Sequence, residues 1–319
     1  MVSRTRRELI STASLAFGAA VVGSKLGFAQ QSVAKLGADR LILLGTGGGP
    51  FISGYTPSPS ANLLVYKNVP YIVDAGYGVT LKLIEAGLPL PALRYIFITH
   101  HHSDHNIELG PLLYNSWGNG LRTPVDVYGP LGLKALIARY WDSNSFDLET
   151  RIADEGRPDL RKLVSAHEFS QGPVFSNAAF KVTALRNMHP PVTESYAFKF
   201  ELGGKVVVFS GDTTYFPPLA EFAKGADYLV HEVLYGPALD ALVSRRPNAA
   251  TLKASILSHH TLAEDVGRIA ASANVHTLVL NHFVPADDNS LTPQVWIDAV
   301  RKTFRGKIVV GKDMLQLPL

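Results

Sequence analysis

Short apolar runs rich in β-branched and aromatic residues recur along the chain and predict buried strands. They cover residues 40–44, 62–66, 71–76, 95–98, 125–130, 180–185, 205–209, 228–230 and 277–281. Apolar residues at helical spacing predict helices over 133–140 and 263–273, and another helix is expected to begin within 106–113. Strands that alternate with helices in this way predict an α/β fold.

Histidines are concentrated directly after the strand predicted over 95–98. The seven residues from Thr99 to His105, Thr-His-His-His-Ser-Asp-His, hold four of the chain's 11 histidines and one carboxylate. They lie on a strand-to-helix loop, at the carboxyl end of a buried strand, where α/β proteins usually place their chemistry. The pattern His-x-His-x-Asp-His offers ligands that suit zinc and other first-row divalent ions. A solvated histidine-rich loop is the alternative, but such a loop needs no buried strand in front of it.

Three more candidate ligands, His189, Asp212 and His282, each follow a later predicted strand. Taken alone, a histidine before two prolines or an aspartate on a glycine turn is usually an ordinary loop residue. Their placement together with the histidine loop favours a metal site. The candidate ligands, which fall at the ends of four predicted strands, are His100, His102, Asp104, His105, His189, Asp212 and His282.

Other polar residues at strand ends are expected to support these ligands. Asp74 is either an acceptor that orients a ligand histidine or an ordinary turn aspartate. His231 and Glu232 are expected to lie behind the ligands rather than to bind metal themselves.

The residues before the helix predicted over 263–273 have two expected roles. Thr261 is expected to cap that helix, with Glu264 completing a capping box. His260, next to the helix N-terminus, is expected to face an anionic substrate.

The first 29 residues have the pattern of an export signal. Arg6 and Arg7 precede an uncharged stretch of apolar and small residues at 9–23, and small residues precede Gln30. The arginine pair favours the twin-arginine route, so the mature protein is expected to be periplasmic or secreted. A membrane anchor is the alternative, but the apolar stretch falls short of the roughly 18 to 20 residues that span a bilayer. No membrane span is therefore expected after cleavage.

The formal net charge of +3 arises within this predicted signal. Residues 1–29 hold four of the 30 basic and one of the 27 acidic residues, so 26 of each remain. Proteins that bind nucleic acid usually carry a basic surface, and the neutral balance therefore argues against nucleic acid as a partner. The chain has no cysteine, which excludes both disulfides and cysteine ligands.

The mature chain of about 290 residues is expected to form a single domain over 38–319. Residues 131–172 are expected to be an insertion that covers the site as a lid or makes a dimer contact. Within it, Tyr140, Trp141 and Phe146 are expected either to line a substrate pocket or to pack between helices. The sequence names no interface, and a homodimer is expected only because dimers are common.

The chain resembles the metallo-β-lactamase superfamily over nearly all of residues 39–319. The first ligand motif of that superfamily is His-x-His-x-Asp-His, as in the histidine loop here. Within the superfamily, the chain is most similar to the branch that holds ribonuclease Z and the zinc arylsulfatases. Residues 44–50, Leu-Gly-Thr-Gly-Gly-Gly-Pro, resemble the opening motif of that branch. Residues 258–261, Ser-His-His-Thr, resemble its distal His-Ser/Thr motif, and residues 280–283, Leu-Asn-His-Phe, resemble its closing motif.

The resemblance implies an αββα four-layer sandwich that binds two Zn²⁺ ions, although the same ligand types also suit Mn²⁺ and Fe²⁺. It implies one site formed by His100, His102 and His189, a second formed by Asp104, His105 and His282, and Asp212 as the bridge between them. Asp104 and His260 are the expected catalytic residues, with His260 as proton donor or transition-state stabiliser.

Such a site predicts a hydrolase of small esters. Two cations that share a water molecule lower its pKa from about 15.7 to near 7, so that hydroxide is available to attack an ester centre. The Gly-Gly-Gly-Pro opening and the lack of an obvious Gly/Lys-rich arm favour an arylsulfatase-type activity. The alternatives are a phosphodiesterase or ribonuclease Z-like phosphodiester hydrolase, a lactonase, and a non-enzymatic zinc-binding protein.

Overall fold

The computed structural model describes residues 35–52, 54, 56–246 and 250–319. Its strands are Arg40–Gly45 (β1), Ala61–Tyr66 (β2), Val69–Val73 (β3), Tyr95–Phe97 (β4), Val125–Gly129 (β5), Val164–Glu168 (β6), Gly172–Ser176 (β7), Phe180–Arg186 (β8), Tyr196–Leu202 (β9), Lys205–Phe209 (β10), Tyr228–Leu234 (β11), Thr277–Val284 (β12), Lys307–Val310 (β13) and Leu315–Pro318 (β14). They form two seven-stranded sheets, in the orders β14-β1-β2-β3-β4-β5-β6 and β13-β12-β11-β10-β9-β8-β7.

Helices connect these strands along the described part of the chain. They are Val79–Glu85 (α1), Ser103–Asn106 (α2), Leu109–Gly118 (α3), Leu133–Ser143 (α4), Ser145–Glu155 (α5), Leu160–Leu163 (α6), Pro218–Phe222 (α7), Leu239–Ser244 (α8), Leu252–His259 (α9), Ala263–Ala273 (α10) and Pro293–Arg301 (α11). Two short 3₁₀ turns cover Leu90–Ala92 and Gly236–Ala238. The helix predicted over 263–273 is confirmed as α10.

The near-continuous apolar sequence of the central strands is explained by burial of both strand faces. In β1, Leu41 and Leu43 pack between the two sheets, whereas Ile42 and Leu44 pack under the outer helices. Helices α1, α3 and α4 cover the outer face of the first sheet, and α7, α10 and α11 cover that of the second. The four layers are therefore helix, sheet, sheet and helix, which is the αββα sandwich that the resemblance implies.

Aromatic side chains fill the space between the sheets below the histidine loop. Phe97 stacks on Tyr128 with ring centroids 5.0 Å apart and meets Phe200 edge-on at 5.2 Å. Such pairs contribute about 0.5–1.5 kcal/mol each beyond the area they bury. Because Phe97 ends β4, this packing fixes the point at which the histidine loop begins.

The segment 131–172 connects two neighbouring strands of the first sheet, and its predicted role as a lid stays a prediction. It crosses from β5 to β6 through α4, α5 and α6, and β6 pairs in parallel with β5 at the edge of the first sheet. Tyr140 packs on Gly110, and Trp141 packs against the helix-covered core, as the packing alternative predicted. Phe146 is exposed. The predicted dimer contact stays a prediction.

The structure corrects two local predictions, the capping box before α10 and the position at which β12 ends. In both places the contacts that decide the structure come from residues far apart in the sequence. Thr261 does not cap α10, because its hydroxyl donates a hydrogen bond to the carbonyl oxygen of Thr213, 2.6 Å away. Glu264 forms an ion pair with Lys302 instead of completing a capping box. His282 lies inside β12 rather than beyond its end.

The predicted export signal over 1–29 lies outside the described residues, so export stays a prediction. Among the residues that are described, none of the helices has both the length and the apolar character needed to cross a membrane.

Candidate metal centre

In the loop after β4 the backbone changes from an extended to a helical conformation, and this change directs the side chains of the loop to one centre. His102 is extended, with φ −69° and ψ 150°, and α2 begins at the next residue. His100 and His102 therefore extend from the loop, while Asp104 and His105 extend from a helical turn, and all four converge. His101 points elsewhere, with its Nε2 atom 3.4 Å from a backbone carbonyl oxygen.

The other three candidates reach the same centre through irregular backbone. Gly211, before Asp212, has φ 57°, and a Cβ there would lie 2.5 Å from a backbone oxygen of Tyr196, so only glycine fits. His282 has φ 45° and is the extra residue where the register of β12 on β11 shifts. Such a bulge re-aims a side chain, here towards the centre. His189 lies in the loop between β8 and β9.

Asp212 is the common point of the cluster. Its Oδ2 atom lies 3.2 Å from His282 Nε2, 3.3 Å from His105 Nε2, and 3.9 Å from both His100 Nε2 and His189 Nε2. Two groups share it, each with its ligand atoms within 4.8 Å of one another: His100, His102, His189 and Asp212, and Asp104, His105, Asp212 and His282. The structure thus brings all seven predicted ligands together, and their binding of metal stays a prediction.

The atoms of this cluster fit divalent cations. His100 Nε2, His105 Nε2 and Asp212 Oδ1 are buried and have no hydrogen-bond partner among the described residues. An unsatisfied buried polar atom costs roughly 1–3 kcal/mol, more when it is charged. In addition, His189 Nε2 and His102 Nδ1 face each other at 3.1 Å. Imidazole nitrogens and carboxylate oxygens are the ligands of zinc and similar ions, which would satisfy these atoms.

Neighbouring acceptors hold two of the rings in the orientation that metal binding requires. Asp74 Oδ2 lies 2.8 Å from His105 Nδ1, and the carbonyl oxygen of His259 lies 3.0 Å from His189 Nδ1. Each Nδ1 atom donates to its acceptor, so each Nε2 lone pair is directed to the centre. Asp74 therefore makes the orienting contact, which is one of the two roles that the sequence left open.

Burial and the charges of neighbouring side chains shift the pKa values of the cluster in opposite directions. Burial lowers the pKa of His100 well below its usual value and that of His189 to about 3, so both rings are neutral. Burial opposes ionisation of Asp212, but the nearby histidines, His105 first, hold the pKa of this carboxyl well below its usual range. Burial opposes charge on His105 as well, yet Asp212 and Asp74 raise its pKa well above normal.

A buried acid–base pair borders the cluster. Glu232 Oε2 lies 2.8 Å from His260 Nδ1, and Glu232 Oε1 accepts a hydrogen bond from the backbone N–H of Thr213 at 2.6 Å. Burial and the charge of Asp212 raise the pKa of Glu232 well above its usual value, whereas burial lowers the pKa of His260 to about 4. The His260 ring lies 5.5 Å from that of His282.

A cavity of about 540 Å³ lies against the cluster and gives a small molecule access to it. Its polar wall includes His102, Asp104, Asp212, His259, His260 and His282. Another part of its wall is apolar, with Leu242 from α8 and Leu252 and Ile256 from α9. Phe51 and Arg246 also line the cavity.

Sequence reasoning missed this apolar wall and the partner of His260. Helices α8 and α9 are short, and the apolar residues of α9 do not repeat along one face, so no periodic signal marks them. Glu232 was expected to support the ligands, but its contact with His260 joins residues 28 positions apart. His231 lies in β11, where its Nδ1 atom contacts the carbonyl oxygen of Glu232, and it is not a member of the cluster.

The chain also resembles known proteins in sequence. The family model described as "Anti-Pycsar protein Apyc1" matches residues 40–241. The chain is also 30% identical over 277 residues to the protein named ribonuclease Z of Mycobacterium bovis (strain BCG / Pasteur 1173P2). That alignment covers 86% of this chain and 96% of the relative.

Solved structures share the fold at lower sequence identity. The metallo-β-lactamase fold protein YhfI from Bacillus subtilis superposes with a TM-score of 0.64 at 20% identity, covering 88% of this chain and 100% of that one. The short form of human tRNase Z superposes with a TM-score of 0.64 at 21% identity, covering 87% of this chain and 98% of that one.

Proposed function

Because the chain belongs to the ribonuclease Z-like branch of the metallo-β-lactamase superfamily and is thus a metal-dependent hydrolase, we propose that it hydrolyses a small phosphodiester with two zinc ions bound in the cluster. The main structural support for this proposal is the position of Asp212. One of its carboxylate oxygens lies within 3.9 Å of four histidine nitrogens, so one side chain can serve two neighbouring cation sites.

The relatives support phosphodiester chemistry over the arylsulfatase-type activity that the sequence motifs favoured. A ribonuclease cleaves phosphodiester bonds, and both ribonuclease Z and tRNase Z are among the proteins that this chain resembles. With such relatives, the prediction from net charge that nucleic acid is not a partner has no support. A small substrate is supported by the cavity, whose volume of about 540 Å³ lies within the range of small-molecule sites.

The side chains of the cluster divide into two sets of ligands around Asp212. His100, His102 and His189 would hold one cation, and Asp104, His105 and His282 would hold the other. When bound, such a pair of cations activates a water molecule as the nucleophile and neutralises charge on the phosphoryl oxygens. Asp104 is itself held in place, because its Oδ2 atom accepts a hydrogen bond from the backbone N–H of Gly49 at 3.0 Å.

His260 donates the proton that the leaving oxygen requires. Its ring is neutral and lines the cavity. Because the raised pKa of Glu232 favours its protonated form, the carboxyl donates to Nδ1, and the single ring proton lies on Nε2, free for transfer. The pKa of Glu232 is raised by burial first and by Asp212 next, so this carboxyl can return a proton to the ring across 2.8 Å.

The first test is a substrate panel with purified, metal-analysed protein. The panel contains bis-p-nitrophenyl phosphate, p-nitrophenyl sulfate, an acyl-homoserine lactone and a short tRNA precursor. We expect kcat/KM for the phosphodiester to exceed that for the sulfate by at least about a hundredfold, because the site discriminates by transition-state binding. Dominant sulfate or lactone hydrolysis would overturn the proposal. Preferential cleavage of the tRNA precursor would retain phosphodiester chemistry but reject a small substrate.

The proton-donor role of His260 predicts a dependence on the leaving group. His260→Ala is expected to lower kcat about 10²–10⁴-fold for a phosphodiester with an alkoxide leaving group. With p-nitrophenolate, which leaves without a proton, the loss is expected to stay below about tenfold. The measurement is kcat across a leaving-group series, with metal content determined for each variant. His101→Ala is the matched control. His101 belongs to the histidine loop, between His100 and His102, but its side chain points away from the cluster. Equal losses along the series would contradict proton donation.

A further inference from the structure

The cavity beside the candidate metal centre carries a positive charge that the proposed chemistry does not use. Arg246 is the one lysine or arginine among the described residues that line it. Its guanidinium carbon lies 3.7 Å from the centroid of the Phe51 ring, and its Nη2 atom lies 2.9 Å from Asp287 Oδ2. The guanidinium is thus fixed between an aromatic face and a carboxylate.

This carboxylate is shared by two arginines. Asp287 Oδ1 accepts from Arg245 Nη2 at 3.0 Å, while Asp287 Oδ2 accepts from Arg246 Nη2. Two arginines and one aspartate give these three side chains a formal net charge of +1. Arg246 has only 23% of its side chain exposed, which limits screening by water and salt. One positive charge therefore remains available, and Arg246, unlike Arg245, presents it to the cavity.

We propose that Arg246 binds an acidic group of the substrate and so selects phosphodiesters whose second ester group carries a negative charge, such as a carboxylate or a phosphate. The inference rests on the proposed function, in which the phosphodiester itself is bound at the histidine–aspartate cluster. A guanidinium recognises carboxylate and phosphate oxygens through two parallel hydrogen bonds. Because Phe51 and Asp287 already hold the guanidinium plane, little side-chain freedom is lost when it binds.

The wall beside Arg246 fits the rest of such a substrate. Leu242, Leu252 and Ile256 form an apolar surface in the same cavity, which suits a hydrocarbon spacer between the two acidic groups. A neutral or cationic second group would gain nothing from Arg246, and a cationic group would be repelled.

If Arg246 had only a structural role, its replacement would have a different effect. Comparison with Arg245 distinguishes structural anchoring from substrate recognition. Both arginines pair with Asp287, but only Arg246 lines the cavity. Loss of an ion pair that merely anchors this segment would have similar effects in Arg245→Ala and Arg246→Ala. Loss of substrate recognition would appear in Arg246→Ala alone.

The experiment uses two substrates that differ by one charge, 3-carboxypropyl p-nitrophenyl phosphate and its carboxyl methyl ester. For the metal-loaded wild-type enzyme, kcat/KM for the acid is expected to exceed that for the ester by about tenfold, the effect of one charge-assisted hydrogen bond. In Arg246→Ala this ratio is expected to fall to about one, mainly through KM for the acid. In Arg245→Ala the ratio is expected to remain as in the wild type. Arg246→Gln, which retains length without charge, replaces the alanine variant if that variant does not fold.

Binding is measured separately so that the two proposals can fail separately. Calorimetric titration with a non-hydrolysable alkylphosphonate monoester that bears a terminal carboxylate, and with its methyl ester, should show the same tenfold preference and the same dependence on Arg246. Turnover of no phosphodiester would overturn the proposed function, while the titration would still decide the role of Arg246. Equal binding of acid and ester by the wild type, or an equal loss of preference in Arg245→Ala, would overturn the inference.

Discussion

Replacement of Asp212 by alanine is expected to lower kcat by more than about a thousandfold and to reduce the metal bound per chain. Asp212 Oδ2 lies within 3.9 Å of histidine nitrogens from both ligand groups, so its loss weakens both cation sites at once. The variant also removes the negative charge that favours cations at the middle of the cluster. The measurements are kcat with bis-p-nitrophenyl phosphate and elemental analysis of the purified protein.

Two variants control for side effects of this substitution. Asp126→Ala removes a partly exposed aspartate that pairs with His167 at the edge of the first sheet, and it is expected to retain activity and metal. Asp212→Asn preserves the shape of the side chain but removes its charge, and it is expected to resemble Asp212→Ala. Near-normal turnover in either Asp212 variant would reject the bridging role and the dinuclear mechanism built on it.

The positions of most ligands could be predicted because they depend on local sequence. An apolar run such as Tyr95–Phe97 identifies a buried strand, and the residue after its end lies at the sheet edge whatever the remaining chain does. The same argument places His189 and Asp212 beyond the ends of β8 and β10 in the second sheet. The same runs predict strands that are covered on both faces, whereas the order of the four layers was implied by the family resemblance.

Features that depend on distant partners could not be predicted. The bulge that directs His282 inward exists because β12 pairs with β11, and no residue type in Leu280–Asn281–His282 signals it. Thr261 illustrates the same limit, because its hydroxyl bonds to Thr213, 48 positions away, although the local pattern favours a helix cap. Tertiary contacts thus overrode the local preference at Thr261 and produced a bulge at His282 that no local preference indicates.

Total charge does not show where charges lie in the folded chain, and the prediction that nucleic acid is an unlikely partner therefore stays without support. Equal numbers of acidic and basic residues over 30–319 say nothing about where the charges lie. The pairing of Arg245 and Arg246 with the single carboxylate of Asp287 concentrates positive charge at the cavity. An anionic substrate is therefore compatible with a neutral chain.

Removal of bound metal by a chelator is expected to lower the melting temperature by roughly 10 °C, and added zinc is expected to restore it. Ligands that bind only the folded state stabilise it by about 4 kcal/mol when present at a thousandfold excess over Kd. For a domain of this size each kcal/mol corresponds to roughly 2–4 °C. The structural reason is the set of buried atoms without partners, including His100 Nε2 and Asp212 Oδ1, which cations would satisfy. Calorimetric melting of Asp212→Ala with and without chelator is the control. The melting temperature of this variant should change little when chelator is added, and a full decrease would place the stabilising metal outside the cluster. An unchanged wild-type melting temperature would contradict metal binding in the cluster.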